Sequence, residues 1–80
     1  MPKDLHPAQL RAARALLDWT RADLASAAST TERTITRLET GRNTARAGTA
    51  AALRRALEAA GVEFIDANGG GPGVRLRHMP

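Results

Sequence analysis

The chain contains no cysteine and no tyrosine, and its two histidines, His6 and His78, lie near opposite ends. Without cysteine, disulfide bonds, thiolate zinc sites and a thiol nucleophile are excluded. Two histidines so far apart in sequence do not form a histidine metal cluster, and we expect neither a metal nor a cofactor. The two aromatic residues, Trp19 and Phe64, are too few for the stacking platforms that bind single-stranded nucleic acid.

Long apolar runs are also missing. No run approaches the roughly 20 residues of a membrane span, and the first four residues, MPKD, do not resemble a signal peptide. A length of 80 residues leaves room for one domain. No paired carboxylates or Ser/His/Asp set can be assembled, which argues against an enzyme. We therefore expect a small cytoplasmic binding domain.

The charge is positive and comes almost entirely from arginine. Twelve Lys and Arg against eight Asp and Glu give a net charge of +4, and eleven of the twelve basic residues are arginine. The planar guanidinium fits phosphates and guanine edges better than an ammonium group does. This balance favours nucleic acid as a partner. A GC-rich genome would give the same composition, so charge alone leaves both interpretations open.

Helical spacing of apolar residues and cap residues predict four helices. The first begins at Pro7 and closes at Asp18-Trp19. A capping box over residues 20–23 opens a second helix that ends near residue 27 or 28. The sequence therefore predicts two helices before the polar residues 29–31.

Two further helices follow. Thr31 is the predicted N-cap of the third helix, and Gly41 is its C-terminal glycine. The fourth is predicted from Gly48 or Thr49 to Ala60. The class is thus mainly α.

Beyond the helices, strand-like residues 62–65 and 74–77 flank a glycine-rich turn and predict a β-hairpin. We divide the chain into a flexible arm over residues 1–6, a helical domain over residues 7–61, and a hairpin with a tail over residues 62–80.

The second and third helices are short and are joined by a turn of about three residues, which is typical of a helix-turn-helix. Ala25 lies where the helices would cross, and Ile35 and Leu38 face inward. The opposite face, which such a helix presents to the major groove, carries Thr31, Glu32, Arg33, Thr36 and Arg37.

The run WTRADLASAASTTERTITRLETGR resembles the helix-turn-helix of the Cro/phage-repressor type, also called the XRE family. Its landmarks here are Arg21, Ala25, Ser29, Ile35 and Glu39-Thr40-Gly41. The flanking segments QLRAARALLDW and TAAALRRALEAAGVEF also match, so the resemblance covers roughly residues 7–65. Two positions depart from the family pattern: Ser29 replaces its turn glycine, and Arg21 replaces its usual glutamine.

The resemblance implies a lambda-repressor-like domain of four to five helices that binds double-stranded DNA. The implied function is a transcription regulator, a small dimeric repressor that recognises a palindromic operator with helix 31–40 in the major groove. An alternative is a helix-turn-helix fold that binds a protein, as an antiactivator or antitoxin does.

The resemblance also implies residue roles. Arg33 and Arg37 would contact guanine in bidentate fashion, and Glu32 would accept a hydrogen bond from a cytosine amino group. Thr31 and Thr36 would touch a base edge or a thymine methyl group. Glu32 as a helix-dipole charge and Thr31 as a cap are the structural alternatives. The residues expected to contact phosphates are Arg21, Arg42 and Asn43.

A two-stranded hairpin leaves unpaired strand edges, which a second copy would satisfy. The residues expected at this dimer interface are Val62, Phe64, Val74 and Leu76. The alternative is that the hairpin only caps the helical core of a monomer.

Overall fold

The computed structural model describes residues 5–42 and 46–78. Over these residues the chain forms four helices followed by a two-stranded antiparallel hairpin, so the predicted mainly α class is confirmed. The elements in chain order are α1 (Pro7–Leu17), α2 (Arg21–Ala28), α3 (Glu32–Glu39), α4 (Ala47–Ala59), β1 (Val62–Ile65) and β2 (Gly73–Leu76).

The helix starts follow from short polar side chains that accept hydrogen bonds from free backbone N–H groups. The Thr20 hydroxyl accepts from the Asp23 N–H at 3.0 Å, and the Asp23 carboxylate accepts from the Thr20 N–H at 2.9 Å. The Thr31 hydroxyl accepts from the Thr34 N–H at 3.2 Å. The capping box and the Thr31 cap are therefore present as predicted.

The turn between α2 and α3 is formed by Ser29 in a left-handed conformation, with φ 56°. The Thr30 N–H reaches back to the Ala25 carbonyl at 2.9 Å, which closes the end of α2. An L-residue in this conformation is less favourable than glycine, so Ser29 keeps the turn geometry at a cost. The short turn fixes the direction of α3 relative to α2.

Three predicted boundaries differ from the structure. Helix α4 begins at Ala47 rather than Gly48 or Thr49, after Arg46, whose side chain makes no cap hydrogen bond. Strand β2 begins one residue earlier than predicted, at Gly73. In the segment assigned to a flexible arm, Leu5 packs against the core and His6 caps α1. Residues 1–4 lie outside the described part of the chain.

One core joins all the elements. Helix α2 packs against α3 and α4, α1 packs against α3 and both strands, and α4 packs against β1. The largest completely buried apolar side chains are Leu10, Leu24, Ile35, Leu53, Leu57 and Val62. Because Ile35 and Leu38 are buried in this core, α3 can turn only its opposite face outward.

The hairpin register pairs Val62 with Leu76 and Phe64 with Val74. The Arg77 N–H donates to the Gly61 carbonyl at 2.8 Å, so Gly61 and Arg77 stand at a hydrogen-bonded position of the ladder and the alternation along the strands is fixed. Consequently the backbone N–H and C=O groups of Val74 and Leu76 point away from β1.

Candidate functional site

The outward face of α3 presents two arginines with free guanidinium groups. Arg33 and Arg37 stand four residues apart and are exposed. Neither guanidinium group makes a hydrogen bond or ion pair with any residue that the structure describes. On the other side of the helix, Ile35 and Leu38 hold it against the core. The structure therefore fixes the helix and leaves all the donors of both guanidinium groups available.

The beginning of α3 is built from Thr31 and Glu32. The Thr31 hydroxyl accepts from the Thr34 N–H and donates to the Thr34 hydroxyl oxygen at 3.0 Å. Only one of its lone pairs remains for another partner. Glu32 is exposed in the first turn, where a negative charge favours the helix dipole. Both residues thus have a structural role at the start of α3, and any base contact they make would be in addition to that role.

A groove runs along α3 and past its end. It is lined by Arg33, Thr36, Arg37, Thr40 and Arg42. The Thr40 hydroxyl donates to the Thr36 carbonyl at 2.8 Å, and the Arg42 N–H donates to the Arg37 carbonyl at 2.9 Å. The structure thus brings Arg42 beside the α3 arginines, while Asn43 lies outside the described residues.

At the inner end of α3, Glu39 is completely buried, with a side-chain exposure of 0%. Arg14 from α1 binds both of its carboxylate oxygens, with Nη2 donating to Oε1 at 2.8 Å and Nε donating to Oε2. Arg21 from α2 donates from Nε to Oε1 at 3.0 Å. Arg11 donates from Nη1 to the Glu39 backbone carbonyl. We call these four residues the Glu39 cluster.

The Glu39 cluster stabilises the charged carboxylate. Burial by itself raises the pKa of Glu39, but the hydrogen bonds and charges of Arg14 and Arg21 outweigh it, so the pKa lies below its usual range. The hydrogen bond to Glu39 likewise raises the pKa of Arg14. The cluster is therefore a network of ion pairs and hydrogen bonds that joins α1, α2 and α3 at neutral pH.

Sequence reasoning missed this cluster. Arg11 and Arg14 look like surface residues because they lie off the apolar face of α1, and Glu39 looks like part of the motif ending. Their separations along the chain, 25 residues for Arg14 and Glu39, exceed any local pattern. Spacing within single helices carries no signal for such a pair, and the resemblance supplied only the position of Glu39.

Arg21 was predicted to contact a phosphate, and the structure gives it a protein partner. Its side chain remains 38% exposed, and only its Nε is bonded within the described residues. Its two terminal nitrogens make no hydrogen bond with the residues that the structure describes. These terminal N–H groups are still available to bind a phosphate. The hydrogen bond from Nε to Glu39 was not indicated by the sequence.

The four residues predicted at a dimer interface fall into two groups. Val62 and Phe64 are buried in the core of their own chain. Val74 and Leu76 are half-buried and pack against the outside of that core. The side chains of Val62 and Phe64 are thus committed to the fold of their own chain.

Two general features can be stated for the described residues. No group of three or more His, Cys, Asp or Glu among them could hold a metal ion. None of the helices formed by residues 5–42 and 46–78 is long and apolar enough to cross a membrane.

The chain was compared with known protein families and with curated proteins. A model of the family described as "Helix-turn-helix domain" matches residues 8–64, from the first turn of α1 into β1. The match therefore includes α2, α3 and the turn between them. No curated protein matches the chain.

Proposed function

Because the chain belongs to the helix-turn-helix domain family, we propose that it is a transcription regulator that binds double-stranded DNA with α3 in the major groove. The observation that carries this proposal is the pair of free guanidinium groups, Arg33 and Arg37, on the outward face of a helix held by its other face. A helix of this kind enters the major groove with its side chains against the base edges.

Arg33 and Arg37 are the proposed base contacts. A guanidinium group donates two parallel hydrogen bonds to O6 and N7 of guanine, and each such contact discriminates by about 1–3 kcal/mol. Thr36 lies between them and lines the same groove. Contacts of Glu32 with cytosine and of Thr31 with a base edge remain part of the proposal, in addition to their roles at the helix start.

Arg42 and Arg21 are the proposed phosphate contacts. Arg42 follows α3 after the turn at Gly41 and lines the groove beside Arg37. Arg21 is the first residue of α2. Contacts at the ends of the motif would fix the orientation of α3 without carrying sequence information. Asn43 is proposed for the same role on the resemblance alone.

We propose that the regulator acts as a homodimer through the β2 edge. Among the described residues β2 pairs with β1 alone, and the backbone groups of Val74 and Leu76 point away from β1. Pairing this edge with the same strand of a second copy would satisfy those groups in a two-fold dimer. Two copies of α3 about 34 Å apart would then fit successive turns of a palindromic site.

Repression is the regulatory mode we propose, since occupation of a promoter by a dimer requires no contact with polymerase. The test of the function is selection of bound sequences from a random duplex library at about 150 mM salt, where non-specific binding is weak. We expect a palindrome with half-sites about 10 base pairs apart. A variant with both Arg33→Ala and Arg37→Ala is the control and should enrich no motif.

Weak, salt-sensitive retention without an enriched motif would contradict this function. It would favour the alternative in which the same fold binds a protein.

A further inference from the structure

The Glu39 cluster contains more positive charge than its carboxylate needs. Two guanidinium groups, from Arg14 and Arg21, bind one carboxylate, and Arg14 alone binds both carboxylate oxygens. Arg14 is also anchored by its Nη1, which donates to the Trp19 carbonyl at 2.9 Å. Arg14 already supplies one positive charge for the single negative charge of Glu39, so the bond from Arg21 adds a second positive charge to the pair.

The geometry of Arg21 divides its guanidinium into two edges. The inner Nε is held by Glu39 Oε1 at 3.0 Å, and the two terminal nitrogens are free of acceptors among the described residues. An arginine that is free in solution loses side-chain entropy when it binds, whereas one already held has less to lose. The bond to Glu39 thus prepares the outer edge for an acceptor outside the chain.

We propose that Glu39 is a positioning residue for DNA binding, and that it holds Arg21 so that the outer edge of the guanidinium meets one backbone phosphate. This inference rests on the proposed function. The carboxylate itself contacts no DNA, because it is completely buried. It acts through Arg21, whose terminal nitrogens suit a phosphate oxygen as charge-assisted donors.

The position of Glu39 also links the proposed phosphate contact of Arg21 to the proposed base contacts of α3. Glu39 is the last residue of α3, the helix that carries Arg33 and Arg37, whereas Arg21 is the first residue of α2. A phosphate bound by Arg21 is thereby held at a fixed distance from the bases at α3. The register of the helix on the duplex would depend on this link.

The test is a double-mutant cycle on DNA affinity with Arg21→Ala and Glu39→Gln, using the duplex selected by the wild-type protein. Arg21→Ala should lower affinity and reduce the slope of log K against log salt by about one, as loss of one phosphate contact requires. Glu39→Gln alone should lower affinity by about two- to tenfold, which corresponds to the ordering cost of one side chain. In the Arg21→Ala background, Glu39→Gln should have no further effect.

A purely structural role for Glu39 gives a different pattern. Glu39→Gln would then lower affinity by the same factor with and without Arg21, and that result would overturn the inference. An unchanged salt slope in Arg21→Ala would overturn it as well. Each variant is compared per folded molecule, by stoichiometric titration and circular dichroism.

A second measurement needs no variant and remains decisive if Glu39→Gln does not fold. In the wild-type protein, exchange of the Arg21 Nε–H with water is compared by NMR with that of Arg33, free and bound to the duplex. We expect slow exchange for Arg21 in both states and fast exchange for Arg33 in the free protein, and equal exchange for the two arginines in the free protein would overturn the inference. Failure of the wild-type protein to bind any duplex would instead overturn the proposed function itself.

Discussion

Arg37 and Arg42 line one groove at the end of α3 but are proposed for different contacts. We expect Arg37→Ala to weaken binding to the selected duplex by about 1–3 kcal/mol and to relax the preference at one base position. Arg42→Ala should weaken binding to selected and random duplexes about equally. Affinities of both variants for both duplexes, measured at one salt concentration, test this division.

The division would be wrong if the two variants lost affinity by the same factor on selected and random DNA. Arg55→Ala serves as the matched control, because Arg55 is an exposed arginine on α4, outside the proposed interface. It should leave both affinities nearly unchanged.

Ser29 provides a test of the turn between the two motif helices. With φ 56°, Ser29→Gly should raise the free energy of unfolding by about 0.5–1 kcal/mol, since glycine adopts this conformation without a steric cost. Ser26→Gly, in the interior of α2, should lower it by about 0.5–1 kcal/mol. Urea denaturation of the two variants measures both changes, and a destabilised Ser29→Gly would refute the strain argument.

At the residue scale, the sequence predicts what local chemistry determines. Thr20 and Thr31 are identifiable as caps because their partners lie only three residues away. The bond from Arg21 to Glu39 spans 18 residues and depends on how the helices pack, so no local pattern reveals it. The proposed base contacts follow from the helical face together with the family resemblance.

The Glu39 cluster determines how three helices respond to acid. In the folded state the pKa of Glu39 lies below its usual range, so its ionisation stabilises the fold above the unfolded value of about 4.3. This stabilisation is lost as the pH falls through the folded pKa. We expect the unfolding free energy of the wild-type protein to fall more steeply below about pH 5 than that of Glu39→Gln.

The measurement is the free energy of unfolding at a series of pH values for the two proteins. Parallel curves below pH 5 would show that Glu39 does not contribute to the acid response. At neutral pH, loss of the carboxylate leaves Arg14 without its buried partner, and we expect a destabilisation of about 3–5 kcal/mol.

At the element scale, a clear cap makes a boundary predictable. The starts of α2 and α3 agree with prediction because Thr20 and Thr31 mark them. The start of α4 was misplaced because Arg46 makes no side-chain cap bond there. Leu5 was assigned to the arm because one apolar residue shows no periodicity, although it packs against the core.

At the scale of the whole molecule, the proposed dimer is testable through one backbone group. The Val74 N–H points away from β1, whereas the backbone groups of its neighbours Gly73 and Arg75 face β1. Val74→Pro removes the edge donor and leaves the ladder bonds of these neighbours. We expect wild-type protein to sediment as a dimer and Val74→Pro as a monomer.

Val74→Ala is the matched control, since it shortens the side chain and keeps the N–H group, and it should remain dimeric. A dimeric Val74→Pro with an intact fold would rule out the β2 edge. Removal of residues 62–80 is unsuitable as a test, because it would take Val62 and Phe64 out of the core.

The whole fold was largely predictable, because the four helices and the hairpin follow from apolar spacing, caps and glycines. The roles of the two strands were not. The sequence shows Val62 and Val74 as equivalent strand residues, but Val62 is completely buried beneath the helices and Val74 is only half-buried. Which strand of a hairpin buries its side chains more deeply depends on tertiary packing and is absent from strand periodicity.

The most direct test of the account is to remove N7 from the guanines of the selected duplex by substitution with 7-deazaguanine. This change deletes one major-groove acceptor and preserves base pairing. If Arg37 donates to guanine N7, wild-type affinity should fall by about 1–3 kcal/mol at the contacted guanine, and the Arg37→Ala variant should not respond there. Equal wild-type affinity for the normal and substituted duplexes at every guanine would contradict major-groove recognition by α3.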